Sequence, residues 1–155
     1  MLATLSIRDF VLIEKLDLDL AHGGGLGALT GETGAGKSIL IDALGLALGA
    51  RAESGVVRRG AAQASIAASF DLPREHPARA VLAEQGLDEE DVLTLRRMIG
   101  ADGRSRAFVN DQPASVALLR RLGDTLVEIQ GQMEQHGLLD TATHRASLDS
   151  FAGLE

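Results

Sequence analysis

Apolar and polar residues alternate with a period of two in several short stretches of this chain, and recur near every third or fourth position in a few others. Leu2 to Ile7 reads as a strand with Leu5 and Ile7 on one face, and Lys15 to Leu20 as a second. There Leu16, Leu18 and Leu20 turn inward while Asp17 and Asp19 face solvent. Leu26 to Thr30 is too short and too apolar for a surface helix and predicts a buried strand that feeds the glycine-rich segment after it. From Ser38 to Leu48 the apolar residues fall at 39, 40, 43, 44, 47 and 48, a helical spacing with one wide stripe. Arg51 to Gly60 has no period and reads as a loop.

Ser65 to Leu72 alternates again, through Ile66, Ala68, Phe70 and Leu72, and Pro73 ends it. Pro77 to Gln85 predicts a helix, opened by a proline and stopped at Gly86. Val92 to Ile99 and Arg106 to Asn110 flank Gly100-Ala101-Asp102-Gly103 and predict a hairpin. A helix over Ala114 to Leu122 and a strand over Leu126 to Gln130 follow. The tail from Thr141 to Leu154 can begin another helix. The sum is one α/β domain without internal repeats, and the character of its end suggests a piece of something longer.

Composition narrows the possible functions. The chain has 155 residues, 45% of them hydrophobic, which suits one ordinary core. Aromatics make up 3%, with no Trp or Tyr, which argues against a stacking platform for single-stranded nucleic acid. The absence of Cys excludes disulfides and thiolate metal sites. A formal charge of −7 has the wrong sign for a stand-alone nucleic-acid binder. No apolar run reaches the ~20 residues of a membrane span, and the start lacks the pattern of a signal peptide. A cytosolic protein that uses no membrane is the expectation.

One motif carries chemistry. Gly31-Glu32-Thr33-Gly34-Ala35-Gly36-Lys37-Ser38 fits G-x-x-x-x-G-K-[ST] at every position. Its glycines let successive backbone N–H groups point inward as an anion nest, and the helix that follows adds the positive end of its dipole. Lys37 is the mobile charge for the β- and γ-phosphates, the Ser38 hydroxyl a Mg²⁺ ligand, and Ile39 continues the first turn. A chance match in a chain of this length is expected roughly 1% of the time or less. The order of the glycines does not fit a dinucleotide-binding turn.

A hydrolase also needs an acid at the end of an apolar strand. Asp71 and Glu128 are the nearest candidates after the loop, and both read as ordinary strand-surface acids. The hydrolytic half of a site is not found. His22, His76, His136 and His144 have no ligand spacing and read as surface histidines. The arginines at 96, 97, 104, 106, 120 and 121 read as a solvated face, with contact to DNA as the sharper alternative.

The segments LSIRDFVLIEKLDLDL, LTGETGAGKSILIDALGLALGAR and VVRRGAAQASIAASFDL resemble the N-terminal part of bacterial DNA-repair proteins of the SMC-like, ABC-type ATPase family. So do LRRMIGADGRSRAFVNDQPASVALLRRLGDTLVEIQGQMEQHGLLD and LDSFAGL, so the resemblance covers nearly the whole chain. It implies a P-loop NTPase fold, the N-terminal lobe of an ABC/SMC-type ATPase head, with a mixed sheet and flanking helices. Residues 1–140 would be half of that head and 141–155 the approach to a coiled coil.

It further implies ATP and Mg²⁺ as ligands, and Gln132 as the glutamine that meets Mg²⁺ and the attacking water, with Gln130 as the neighbouring alternative. Met133 departs from the histidine expected there. Arg58 and Arg59 fall where similar heads carry a basic loop, with a solvated turn pair as the bland alternative. The implied partners are the C-terminal segment of the same polypeptide, which would supply the missing acid, a second head in a homodimer, and double-stranded DNA in the repair and recombination of breaks. A nucleoid-associated cytoplasmic location follows. A small P-loop kinase, a transporter ATPase subunit and a scaffold that merely holds nucleotide are the competing readings.

Overall fold

In the computed structural model, residues 1–21, 27–32, 36–53, 55–87 and 90–129 are described, together with Leu148 and Ala152. Among the described residues six named strands and three named helices follow in the order β1 (Leu2–Phe10), β2 (Ile13–Asp19), α1 (Lys37–Ala47), β3 (Gln63–Asp71), α2 (Pro77–Glu84), β4 (Val92–Gly100), β5 (Ser105–Val109), β6 (Gln112–Ala114) and α3 (Val116–Leu126). The strands form one sheet in the order β2-β1-β3-β4-β5-β6, and each pairing is antiparallel.

The period-two pattern is what selects the buried face. Leu5, Ile7, Ile66, Ala68, Phe70, Leu93, Leu95, Ile99, Ala107 and Val109 all point to it and are buried. α1 lies over β3, β4 and β1 on this face, while α3 lies over β5 and also packs on α2. Ala43 and Ala47, both fully buried, are the α1 residues whose small size lets the helix sit close to the sheet. The opposite face carries Thr4, Ser6, Ser65, Ala67, Ser69 and Thr94, all half-buried. Among the described residues no helix is long and apolar enough to cross a membrane.

Several expectations change. The expected strand over Leu26 to Thr30 is not one in its described part: Gly27 to Thr30 carry no regular structure and are exposed, with Leu29 at 59%. The physical reason is that an apolar strand needs a neighbouring backbone, and none of the described residues pairs with it. The expected strand from Leu126 fails as well. Leu126 closes α3, whose last turn is capped by the Val127 N–H donating to Gly123 O at 3.1 Å, and Val127 to Ile129 join no ladder. α3 begins later than its apolar period suggests, because Ala114 belongs to β6 and Ser115 is the N-cap, its hydroxyl accepting from the Leu118 N–H at 3.0 Å.

Arg97 also departs from expectation. It lies on the buried face at 4% exposure, and its Nε donates to Ser105 Oγ. Being adjacent in β4, Arg96 and Arg97 point to opposite faces, so they cannot form one basic patch. Burial pulls the Arg97 guanidinium below its ordinary value, yet a guanidinium stays charged. Arg96 stacks over Phe108 at 4.5 Å from the ring centre and pairs with Asp111 at 2.8 Å.

A candidate nucleotide-phosphate site

α1 starts at Lys37, preceded by Gly36 in the left-handed region with φ 86°. That backbone conformation strains any residue with a Cβ, which is the physical reason for glycine here. No side chain caps the helix start and no acid occupies its first turn. The N–H groups of the first turn therefore lack intrahelical partners, and the dipole is not countered, which is the arrangement an anion requires.

Lys37 folds back over the loop. Its Nζ donates to the carbonyl oxygens of Gly31, at 2.5 Å, and Glu32, at 2.6 Å. The ammonium thus ties the start of the glycine-rich segment to the first residue of α1. A phosphate oxygen is a stronger acceptor than a carbonyl and could draw the same ammonium. Ser38 is exposed in the first turn, whereas the Ile39 side chain packs toward the core. Ile39 can therefore serve a ligand only through its backbone N–H.

These features fit a phosphate group with Mg²⁺. This ion keeps waters and phosphate oxygens and takes few protein ligands, so one hydroxyl from the chain is a reasonable share. Among the described residues no cluster of three acids or histidines forms an independent metal site. Thr33, Gly34, Ala35, Gln130 and Gln132 lie outside the described residues, as do Met133, His22, His136 and His144.

Elsewhere the structure sorts the other candidates. Asp71, at the end of β3, and Glu128, beyond α3, are both exposed. The Met1 ammonium donates to the Asp71 carbonyl oxygen at 2.6 Å. Arg58 is committed to acids of the β1–β2 hairpin, with Glu14 at 3.0 Å and Asp9 at 3.8 Å, while Arg59 beside it is exposed. Together they line an open cleft between the loop from Glu53 to Ala61 and the turn Gly100 to Gly103. His76 is no idle surface residue: it is the N-cap of α2, with Nδ1 accepting from the Ala78 N–H at 3.2 Å.

Two glycines matter that the motif search passed over. Gly49, with φ 94°, and Gly123, inside α3, mark where the end of α1 meets α3 backbone to backbone. A signal for each was present: both stand just after the last apolar residue of an expected helix, Leu48 and Leu122.

Comparison with known proteins places this geometry in a lineage. The AAA domain family matches residues 4–92, more than half of the chain. The DNA repair protein RecN of Xylella fastidiosa (strain 9a5c) is 45% identical over 152 residues, and that of Bacillus subtilis (strain 168) is 44% identical over 156. The aligned regions take in 98% and 100% of this chain but 27% of each relative, so the chain spans about a quarter of their length.

Among solved structures, an SMC ATPase chain described for ATP-driven dimerization and DNA-stimulated activation superposes with a TM-score of 0.67 at 21% identity. The match takes in 97% of this chain and 98% of that one. The Pyrococcus furiosus Smc head domain bound to the C-terminal domain of ScpA gives 0.63 at 22% identity, with 80% of this chain and 32% of that one covered. At such identities the likeness shows a shared fold. The chain belongs to the AAA domain family, has the fold of SMC-type ATPase heads, and is similar over nearly its whole length to about a quarter of the length of bacterial RecN proteins.

Proposed function

We propose that this chain is the phosphate-binding part of the ATPase head of a DNA-repair protein. The observation that carries the reading is the start of α1: an uncapped helix end behind a left-handed glycine, with the Lys37 ammonium held on the Gly31 and Glu32 carbonyl oxygens. Gly31 to Ser38 would cradle the phosphates, Lys37 would neutralise the charge developing on the transferred group, and Ser38 would hold Mg²⁺. Bound Mg²⁺ would supply further charge neutralisation between the phosphates. Gln132, or Gln130, would orient the attacking water.

The acid that activates that water is expected from the part of the polypeptide corresponding to the remaining length of the RecN relatives. The exposed Leu29, on an apolar segment with no strand partner among the described residues, supports this division, as does the half-exposed face of α1 at Ile41. In the complete protein ATP would bring two heads together, and opening on hydrolysis would govern engagement of double-stranded DNA in the cytoplasm. Contact would be with the DNA backbone and weaken with salt. Residues 141–155 would lead into a coiled coil.

Lys37→Ala in the full-length protein tests the reading. Loss of one charge-assisted contact to phosphate should weaken ATP binding by about tenfold to a hundredfold, measured by equilibrium dialysis. Undiminished binding would sink the assignment. Phosphate release by the unsubstituted full-length protein, with and without duplex DNA, separates an ATPase from a scaffold that merely holds nucleotide.

A further inference from the structure

Among the described residues, the most deeply buried arginine is one that meets no anion. Arg8, Arg58, Arg79, Arg96 and Arg121 each pair with a carboxylate, and each keeps part of its side chain in solvent. Arg97 is buried, and its printed partner is a neutral one, the Ser105 hydroxyl, which accepts from Nε. Its Nη1 nitrogen has no hydrogen-bond partner, so the two N–H bonds there are free.

The register of the sheet accounts for this isolation. Arg97 stands opposite Ile66 of β3 and Ala107 of β5, with Leu95 and Ile99 before and after it on the same face of β4. Ala64 and Ala68, flanking Ile66 on that face of β3, are buried as well. All six neighbours are apolar. Burial lowers the pKa of the guanidinium, and no acid among the described residues counters it. Yet a guanidinium remains charged, and a buried charge without an anion is strongly destabilising, which one hydroxyl offsets only in small part. Ser105 itself is exposed at the start of β5, so this end of the side chain borders solvent.

We propose that Arg97 and Ser105 form a buried oxyanion site on the β4–β5 hairpin. The ligand is a carboxylate or a phosphate, because the planar guanidinium presents N–H groups at the spacing of two oxygens of either. The Ser105 oxygen is held by Nε, which leaves its O–H to donate to the same anion. Two sources offer this chemistry. One is an acidic side chain from the further length of polypeptide that the RecN relatives possess, and the other is a free oxyanion from solution. The site does not depend on the nucleotide reading, since its residues take no part in it.

The experiment uses the full-length protein with Arg97→Met, Arg97→Lys and Ser105→Ala, melted in chloride and in inorganic phosphate at equal ionic strength. Methionine fills similar space without charge, whereas lysine keeps the charge. With a carboxylate in the site, Arg97→Met should lower the melting midpoint by about 5 °C or more, and Arg97→Lys should melt above Arg97→Met. With a free oxyanion, phosphate should raise the midpoint of the parent by about 2 °C or more. That rise should persist in Lys37→Ala, which weakens the other phosphate site, and vanish in Arg97→Met. Either outcome supports the site and names its source. If Arg97→Lys melts no higher than Arg97→Met, and phosphate acts alike on the parent and both variants, the proposal is overturned. That order is the one an uncompensated charge gives, since methionine removes a cost that lysine keeps. If neither Arg97 variant folds, Ser105→Ala decides. A midpoint within about 2 °C of the parent shows that an oxyanion holds the guanidinium, and a larger fall shows that the hydroxyl was its only acceptor and overturns the proposal.

Discussion

His76 caps α2 with a ring nitrogen, and only a neutral imidazole has a lone pair at Nδ1 to receive the Ala78 N–H. Burial holds the His76 pKa below its ordinary value, and the Met1 ammonium and the Arg79 guanidinium push it the same way. The folded protein therefore binds the proton less readily than the unfolded chain. The stabilisation is complete above the ordinary histidine value and is lost as pH falls through the lower folded value. Between neutral pH and about pH 5 the protein should therefore lose stability. Chemical denaturation at the two pH values measures it. His76→Asn supplies a cap that does not titrate, and should remove that part of the pH dependence; an unchanged slope would show that the imidazole is not the group responsible.

Other single residues were readable to different depths. Gly36 declares itself because the motif calls for a glycine there, and its φ of 86° is one that a side chain would strain. Arg97 does not: its burial follows from the register of β4 between β3 and β5, which puts it opposite Ile66 and Ala107. Charge alone suggests solvent for such a residue, and the sheet overrides it.

At the scale of elements, α1 and α2 lie where the apolar period and the helix signals place them, because period, proline and glycine act within one turn. α3 is displaced because Gln112 to Ala114 are taken up by the β5 edge, pairing Val109 with Gln112 and Ala107 with Ala114. A three-residue edge strand is too short to carry a readable alternation. Within α1, Gly45 is a different case from Gly49 and Gly123. A Cβ there would meet Ala50 Cβ at 3.8 Å and Ile129 Cδ1 at 4.0 Å, ordinary contact distances. Gly45→Ala should therefore gain the helix propensity that glycine lacks, raising stability by about 0.5–1 kcal/mol in urea denaturation. A loss of stability would mean that α1 and the Ile129 segment lie closer than these distances allow. At Gly49 the same change meets a positive φ and a backbone only 2.5 Å away, so it should destabilise instead.

For the whole molecule, the sheet and helices α1 to α3 bury one continuous face, and Phe70 and Leu95 on the central strands β3 and β4 are sealed at 1% and 0% exposure. The flank at the glycine-rich motif differs. Leu29 stands 59% exposed and Ile41 48% exposed, close to the residues with the clearest chemical task. If further polypeptide completes this flank, Leu29→Ala in the full-length protein should cost about 2 kcal/mol or more in denaturant unfolding, as a buried leucine would. A change within about 0.5 kcal/mol, the usual cost at an exposed position, would show that nothing covers the segment.

The residues alone determined the glycine-rich motif, the helix behind it and most of the strands, because these follow from spacing over a few neighbours: turns that need glycine, a period of two, a period near 3.6. The resemblance they carried also extended along nearly the whole chain. Only the tertiary structure decided which alternating stretches find a partner, so that Lys15 to Leu20 joins the sheet from Ile13 to Asp19 while Gly27 to Thr30 stays outside it. It also decided that Arg97 is buried and that two glycines far apart in the chain bring α1 and α3 into contact. Those outcomes depend on backbones meeting across distant positions, which no local pattern records.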